Sequence, residues 1–272
     1  MKTIVVATDF SVEAENALVY AAKMAAEHSY KLVLFSLYNI SIHALNARLS
    51  DDTIQMLIEA KNKELDMLKV NVKATYAVEV ETHLASGDFY EEVKYCIGQY
   101  GADLLVMGMA EKSVEQDLMG NTTTMAIHHL NTPILAIPEG ARYKGIYHMM
   151  FACDIVKGVQ KSVFEKVHAF ASDFAAIVEV FHVSNKIEEL QKAAPPTAMI
   201  DDELKDITHY YKNIESKKIL EAIREEMAST KTDVLIMVPY KYGFWKSLVH
   251  RSKTRMMASG SHVPLLSLPV EV

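Results

Sequence analysis

The densest group of chemistry-bearing residues lies near the carboxyl end, in the run KYGFWKSLVHRSKTR that spans 241–255. Lys241, His250, Arg251, Ser252, Lys253 and Thr254, with Lys246 and Arg255 beside them, put cations and hydroxyls just ahead of a helix. Such a group could bind phosphate or an acidic ligand, with Trp245 or Phe244 offering a stacking face. The structural alternative is a solvated basic loop with Trp245 and Leu248 tucked against a sheet. Elsewhere the chemistry is sparse. His128 and His129 are adjacent, which on a helix turns them about 100° apart and makes joint metal ligation awkward. His148, His182, His209 and His262 are too scattered to specify a metal, although strand ends could bring His182 near His250. HExxH, GxSxG and GxxxxGK[ST] are all missing, so the commoner hydrolase signatures are excluded.

Composition bounds the partners. With 28 basic and 35 acidic residues and a formal net charge of -7, a protein that coats nucleic acid or anionic membrane is not expected. Cys96 and Cys153 stand in no CxxC or Cys/His spacing, read as small buried hydrophobes, and suit a reducing compartment. No apolar run is long enough to cross a bilayer, and Met1 to Phe10 runs into a strand without a cationic leader, so the expected setting is cytoplasmic.

The elements that must position any site follow from periodicity. Thr3 to Asp9 opens with a continuous apolar run, as for a strand buried on both faces, and a helix from near Ser11 puts Ala14, Ala17, Leu18, Ala21, Ala22 and Ala25 on one side. Ser11 can cap that helix, and Asp9 could do so instead. The reading continues with strand 31–38, helix 54–68, strand 75–84, helix 89–99, strand 104–107, helix 122–130 and strand 133–137. That alternation calls for a parallel sheet covered on both faces.

Beyond a linker at 138–144 the order returns: strand 147–152, helix 159–174, strand 176–182, strand 208–214, helix 216–228, strand 233–237. NTPILAIP, ending at Pro138, and HVPLLSLP, ending at Pro269, close the two halves alike. A repeat of this length is a duplicated domain, 1–140 and 144–272, each a five-stranded parallel α/β unit. The stretch 185–207, with Pro195, Pro196 and an acidic run, reads as an exposed excursion.

IVVATDFS at the start, GDFYEEV from Gly87, GADLLVMG to Gly108, a loop to Gly120, and TPILAIP together resemble a universal stress protein domain over 1–140, and more weakly over 144–272. The resemblance implies an adenine-nucleotide alpha hydrolase-like, Rossmann-like fold and a ligand at the carboxyl ends of the strands, ATP with Mg or none. It places Asp9 at the acidic position, Ala7 and Leu37 beside adenine, Gly108 and Gly120 in the phosphate loop, with Asn121 where Ser or Thr is usual and Thr122 and Thr123 as hydroxyl donors. Glu111 stands at the second glycine position, where a carboxylate repels phosphate. In the second half Asp154 keeps the acidic position and Val183 the adenine-side strand, while Val238, Lys241 and Arg251 replace the glycines. The implied function is a non-catalytic, cytoplasmic, nucleotide-binding stress-response protein. Its halves pair through 133–137 and 264–268, covering two open sheet edges as one internal pseudo-dimer, with a further homodimer possible. The alternatives are a slow ATP hydrolase relying on Asp9 and Glu111, and an anion-binding module on the basic run.

Overall fold

The computed structural model describes residues 2–38, 50–109, 122–155, 159–184, 197–239 and 263–270. By backbone proximity the chain divides into two compact units, 1–108 and 109–272.

In the first unit β1 (Thr3–Ala7), β2 (Lys31–Leu37), β3 (Glu79–Ala85) and β4 (Leu104–Met109) lie in the order β3-β2-β1-β4, all parallel. Val5, Val6, Leu32, Val33, Leu34 and Leu105 are fully enclosed, the outcome expected of apolar runs with helices on both faces. Helix α1 (Val12–His28) buries all six residues named from its periodicity, with Tyr20 and Met24 added. Ser11 is its N-cap: its Oγ accepts the Ala14 N–H at 3.3 Å, and Ser29 in the left-handed region closes the other end on the Ala25 carbonyl.

Helix α2 (Asp51–Tyr76) departs from the expected 54–68 and overruns the first residues assigned to the next strand. Val72 is buried seven residues after Leu65, so the inward helical stripe continues past the expected end at 68 and carries the helix into 75–76. Ala77, at φ 55°, ends the helix by donating its N–H to the Lys73 carbonyl, and β3 begins two residues later. Helix α3 (Phe89–Tyr100) is capped by Asp88 and closed by Gly101 at φ 57°.

The second unit holds α4 (Thr122–His129), β5 (Ile134–Pro138), β6 (His148–Ala152), α5 (Lys161–Phe174), β7 (Ile177–Ser184), α6 (Thr197–Glu203), β8 (His209–Glu215), α7 (Ile219–Thr230), β9 (Val234–Met237) and β10 (Leu265–Ser267). Its strands run β5-β10-β9-β6-β7-β8. All neighbours are parallel except β5 and β10, which pair antiparallel with Leu265 opposite Ala136 and Leu266 opposite Leu135. The two closing strands therefore pair with each other, as the repeated endings suggest.

The likeness of the halves extends to single hydrogen bonds. Thr3 N–H donates to Asp103 and Asp103 N–H donates to the Thr3 carbonyl; His148 and Asp233 exchange the same two bonds. Two expectations need correction. The later part of the supposed excursion is packed, because Ile200, Leu204 and Ile207 are buried and the α6 segment supplies apolar positions that a reading of its acidic run overlooked; 185–196 lie outside the described residues. Cys96 is buried but Cys153 is only half-buried, since it sits where the strand ends and the chain turns.

Candidate functional site

β1 lies between β2 and β4, so the carboxyl ends of all three form one crest. Ala7 pairs with Phe35 and Val6 with Val106; Leu37 and Gly108 each lie two residues further along. The ladder continues one residue past the strand, where Thr8 N–H donates to the Phe35 carbonyl at 2.8 Å. The chain then turns on two side chains. Thr8 Oγ1 accepts the Phe10 N–H at 3.1 Å, and Asp9 Oδ1 accepts both the N–H and the hydroxyl of Ser11, at 3.0 and 2.5 Å. Together they hold Phe10 at φ 65°, a region that costs a bulky L-residue on the order of 1 kcal/mol or more. Asp9 is exposed, and its second carboxylate oxygen has no partner among the described residues.

Ser11 thus links the crest to the helix: it donates to Asp9 and accepts from α1. The cap belongs to Ser11, which leaves Asp9 to orient the cap and to face solvent. Gly108 admits α1 to the end of β4, since a Cβ there would stand 2.5 Å from the Glu13 carbonyl oxygen. Its lack of a side chain is required by helix-to-strand packing. A residue not anticipated from the sequence joins this group. Lys61, on α2, places its ammonium 3.7 Å from the centroid of the Phe10 ring and 2.8 Å from Glu64. Its separation of some fifty residues from Asp9 leaves no pattern by which sequence could find it.

Thr122 is exposed at the first residue of α4, and Thr123 is buried. Gly120, Asn121 and Glu111 lie outside the described residues, as do Lys241, His250, Arg251, Ser252, Lys253 and Thr254, and the proposed approach of His182 to His250 with them. His128 and His129 are both exposed. Among the described residues no cluster of three His, Cys, Asp or Glu could hold a metal.

The second half repeats the crest in altered form. Cys153 N–H donates to the Phe181 carbonyl at 3.1 Å, matching Thr8 and Phe35. Asp154 and Val183 are half-buried, and Val238 is buried. Next to each phenylalanine sits a buried polar residue, Ser36 in the first half and His182 in the second, and neither Ser36 Oγ nor His182 Nε2 has a hydrogen-bond partner among the described residues. His182 Nδ1 lies 3.2 Å from the Ile155 nitrogen and 3.1 Å from the Cys153 carbonyl oxygen, so the ring braces the turn after β6.

Another titratable cluster occupies the opposite ends of the second-half strands. Glu179 on β7 is fully buried, and neither carboxylate oxygen has a hydrogen-bond partner within bonding geometry among the described residues. Around it stand His148 of β6, with Nε2 at 3.8 Å, Tyr210 and Lys212 of β8, and Glu226 of α7, itself paired with Lys212 at 2.6 Å. Burial, then the charge of Glu226, pushes the Glu179 carboxyl up to about 7. Burial lowers His148 and pushes the Cys96 thiol up to about 12, so neither the imidazole nor the thiol is readied as a charged catalytic group. The strand ends that bear Glu179 and Tyr210 face away from the crest, and this cluster is structural to that extent.

Comparison with known proteins completes the description. The model of the universal stress protein family matches residues 1–138. No curated protein sequence matches the chain. A universal stress protein from Archaeoglobus fulgidus superposes with a TM-score of 0.74 at 14% identity, over 98% of this chain and 96% of that one. A putative universal stress protein from Pseudomonas aeruginosa gives 0.57 at 13% identity, over 98% and 93%. A universal stress protein solved in complex with cAMP covers 50% of this chain and 96% of its own, with a TM-score of 0.40 and 23% identity.

Proposed function

The chain belongs to the universal stress protein family, and from that premise we propose that its first half is a nucleotide-responsive regulatory module that binds an adenine nucleotide without turning it over at a useful rate. The observation that carries this reading is the crest formed by Ala7, Asp9, Leu37 and Gly108. One Asp9 oxygen is tied down by Ser11 and the other is open to solvent, level with the end of β2. An open, oriented carboxylate at that place is suited to accept ribose hydroxyls. The adjoining helix α1 brings the positive end of its dipole to the same crest.

The strained Phe10 supports a ligand-clamping role, because backbone outliers of this kind persist where the surroundings enforce them. Lys61, resting on the Phe10 ring, supplies a cation close to the crest. ATP with magnesium as the ligand, a cytoplasmic setting and a stress role are expectations of this reading, and turnover is not. The domain boundary at 140–144 is part of it too. Duplication would make the second half, with Val238 at the first glycine position, a partner for the first rather than a second equivalent site.

The experiment is calorimetric titration of nucleotide-stripped protein with ATP, AMP and cAMP, with and without magnesium, on the parent chain, Asp9→Ala and Gly120→Val, together with an assay for released phosphate. Saturable binding near one per chain, lost in Asp9→Ala and unaccompanied by phosphate release, is the expected result. Binding that Asp9→Ala leaves unchanged would remove the crest from consideration, and steady magnesium-dependent release would make the protein an enzyme.

A further inference from the structure

Helix α2 is apolar on two faces. Leu65 and Val72 are buried, and Ile54 and Ile58 are half-covered, on the side turned toward the sheet. On the other side Met56, Ala60, Lys63, Met67, Val70 and Ala74 are all exposed. Met56 is 70% exposed, Met67 57% and Val70 66%, which for methionine and valine on one helix face is a patch and not scatter. Residues 65 and 67 are about 200° apart on a helix, so the two stripes are opposed. The outer stripe advances by alternate steps of four and three residues, the spacing of a coiled-coil seam. A shallow groove of about 710 Å³, whose lining includes Glu59, Lys63, Asp66, Met67 and Val70, runs along the same face.

We propose that this face docks on the same face of a second copy of the chain, the two α2 helices lying antiparallel. The charges beside the seam select that occupant and that direction. With residues 60 and 70 of the two copies level, Ala60 meets the partner's Val70, Lys63 the partner's Met67, and Met56 the partner's Ala74. Glu59 then faces the partner's Lys73, twice by symmetry. Near the two-fold axis Asp66 approaches the partner's Asp66 and Glu64 the partner's Glu64; the ammonium of the partner's Lys63 offsets the first contact, and Lys61, 2.8 Å from Glu64 within each copy, offsets the second. A parallel pair would instead set Glu59 beside the partner's Glu64, with like charges at both edges.

Overlap of residues 54–76 is about 34 Å of helix at 1.5 Å per residue. A seam of that length and roughly 10 Å width covers about 700 Å² over both copies, below the 1,200 Å² or more of a standard interface. The dimer is therefore weak and appears only as concentration rises. It is separate from the β5 to β10 pairing, which is satisfied within one chain, and it does not depend on nucleotide.

Sedimentation velocity over a concentration series tests the interface. The parent chain should shift from one-chain to two-chain mass as concentration rises, and Met67→Glu should stay at one-chain mass with unchanged circular dichroism and melting temperature. Glu59→Lys and Lys73→Glu should each weaken association by about tenfold, and the double variant Glu59→Lys/Lys73→Glu should recover it. One-chain mass at every concentration, dimerisation untouched by Met67→Glu, or failure of the double variant to recover would each overturn the antiparallel α2 pair.

Discussion

The carbonyl oxygen of Glu13 occupies the space where a side chain on residue 108 would have to begin, 2.5 Å from the Cβ position, with the Ala14 nitrogen at 2.9 Å. Backbone on both sides makes that contact rigid, because neither α1 nor β4 can yield a single atom without moving the element. Gly108→Ala should therefore destabilise the fold by about 1–3 kcal/mol through overpacking. Thermal melting is the check, and a melting temperature within a degree of the parent would mean that α1 has room to shift.

Ser11→Ala should cost about 1 kcal/mol, the usual loss for an N-cap hydroxyl. It also frees Asp9 Oδ1 from its 2.5 Å bond, so nucleotide affinity should fall even though Ser11 itself need not touch the ligand. Ser11→Thr keeps the hydroxyl and should recover both quantities. Chemical denaturation and calorimetry on the two variants separate the cap from the carboxylate it orients.

Stability should depend on pH through Glu179. Its carboxyl titrates higher in the folded protein, at about 7, than in the unfolded chain, where its ordinary value is 4.5. The folded state therefore holds a proton that the unfolded state releases between those values. Its contribution is complete below about pH 4.5, declines as pH rises, and is lost above about pH 7. The facing groups are His148, Tyr210, Lys212 and Glu226. Because His148 is itself lowered by burial, it does not supply a standing positive charge to hold Glu179 ionised. Glu179→Gln should flatten the pH dependence between 5 and 7 and raise stability at pH 8; denaturant midpoints measured across that range decide it.

Leu135 and Leu266 face each other across the antiparallel pair of β5 and β10, with Leu135 3% and Leu266 1% exposed. Each Leu→Ala change should cost about 2–4 kcal/mol. Because the residues are directly opposed, the double variant should lose about 0.5–1 kcal/mol less than the two single losses added. Strict additivity would mean that the two closing strands do not sustain each other.

Much of this architecture could be read from local pattern. β1 and β2 are short, wholly apolar runs, and such runs become buried parallel strands wherever helices flank them; α1 announced itself by alanines at three- and four-residue spacing and by Ser11 ahead of them. Ala7, Asp9, Leu37 and Gly108 were named from the family resemblance, and the structure puts them at the neighbouring ends of β1, β2 and β4. What was misread turned on packing partners distant along the chain. The length of α2 depended on Val72 finding the sheet, and the burial of Ile200, Leu204 and Ile207 depended on what they pack against.

The sequence by itself determined the alternation of elements, because hydrophobic period and turn residues act over a few neighbours along the chain, and its motifs carried the resemblance to the family. Only the tertiary structure decided which Asp9 oxygen is free, why residue 108 must be glycine, that Lys61 rests on Phe10, and that Glu179 is sealed among His148, Lys212 and Glu226. These relationships join residues tens of positions apart, and their energies arise from desolvation and close contact, which exist only once the elements have packed.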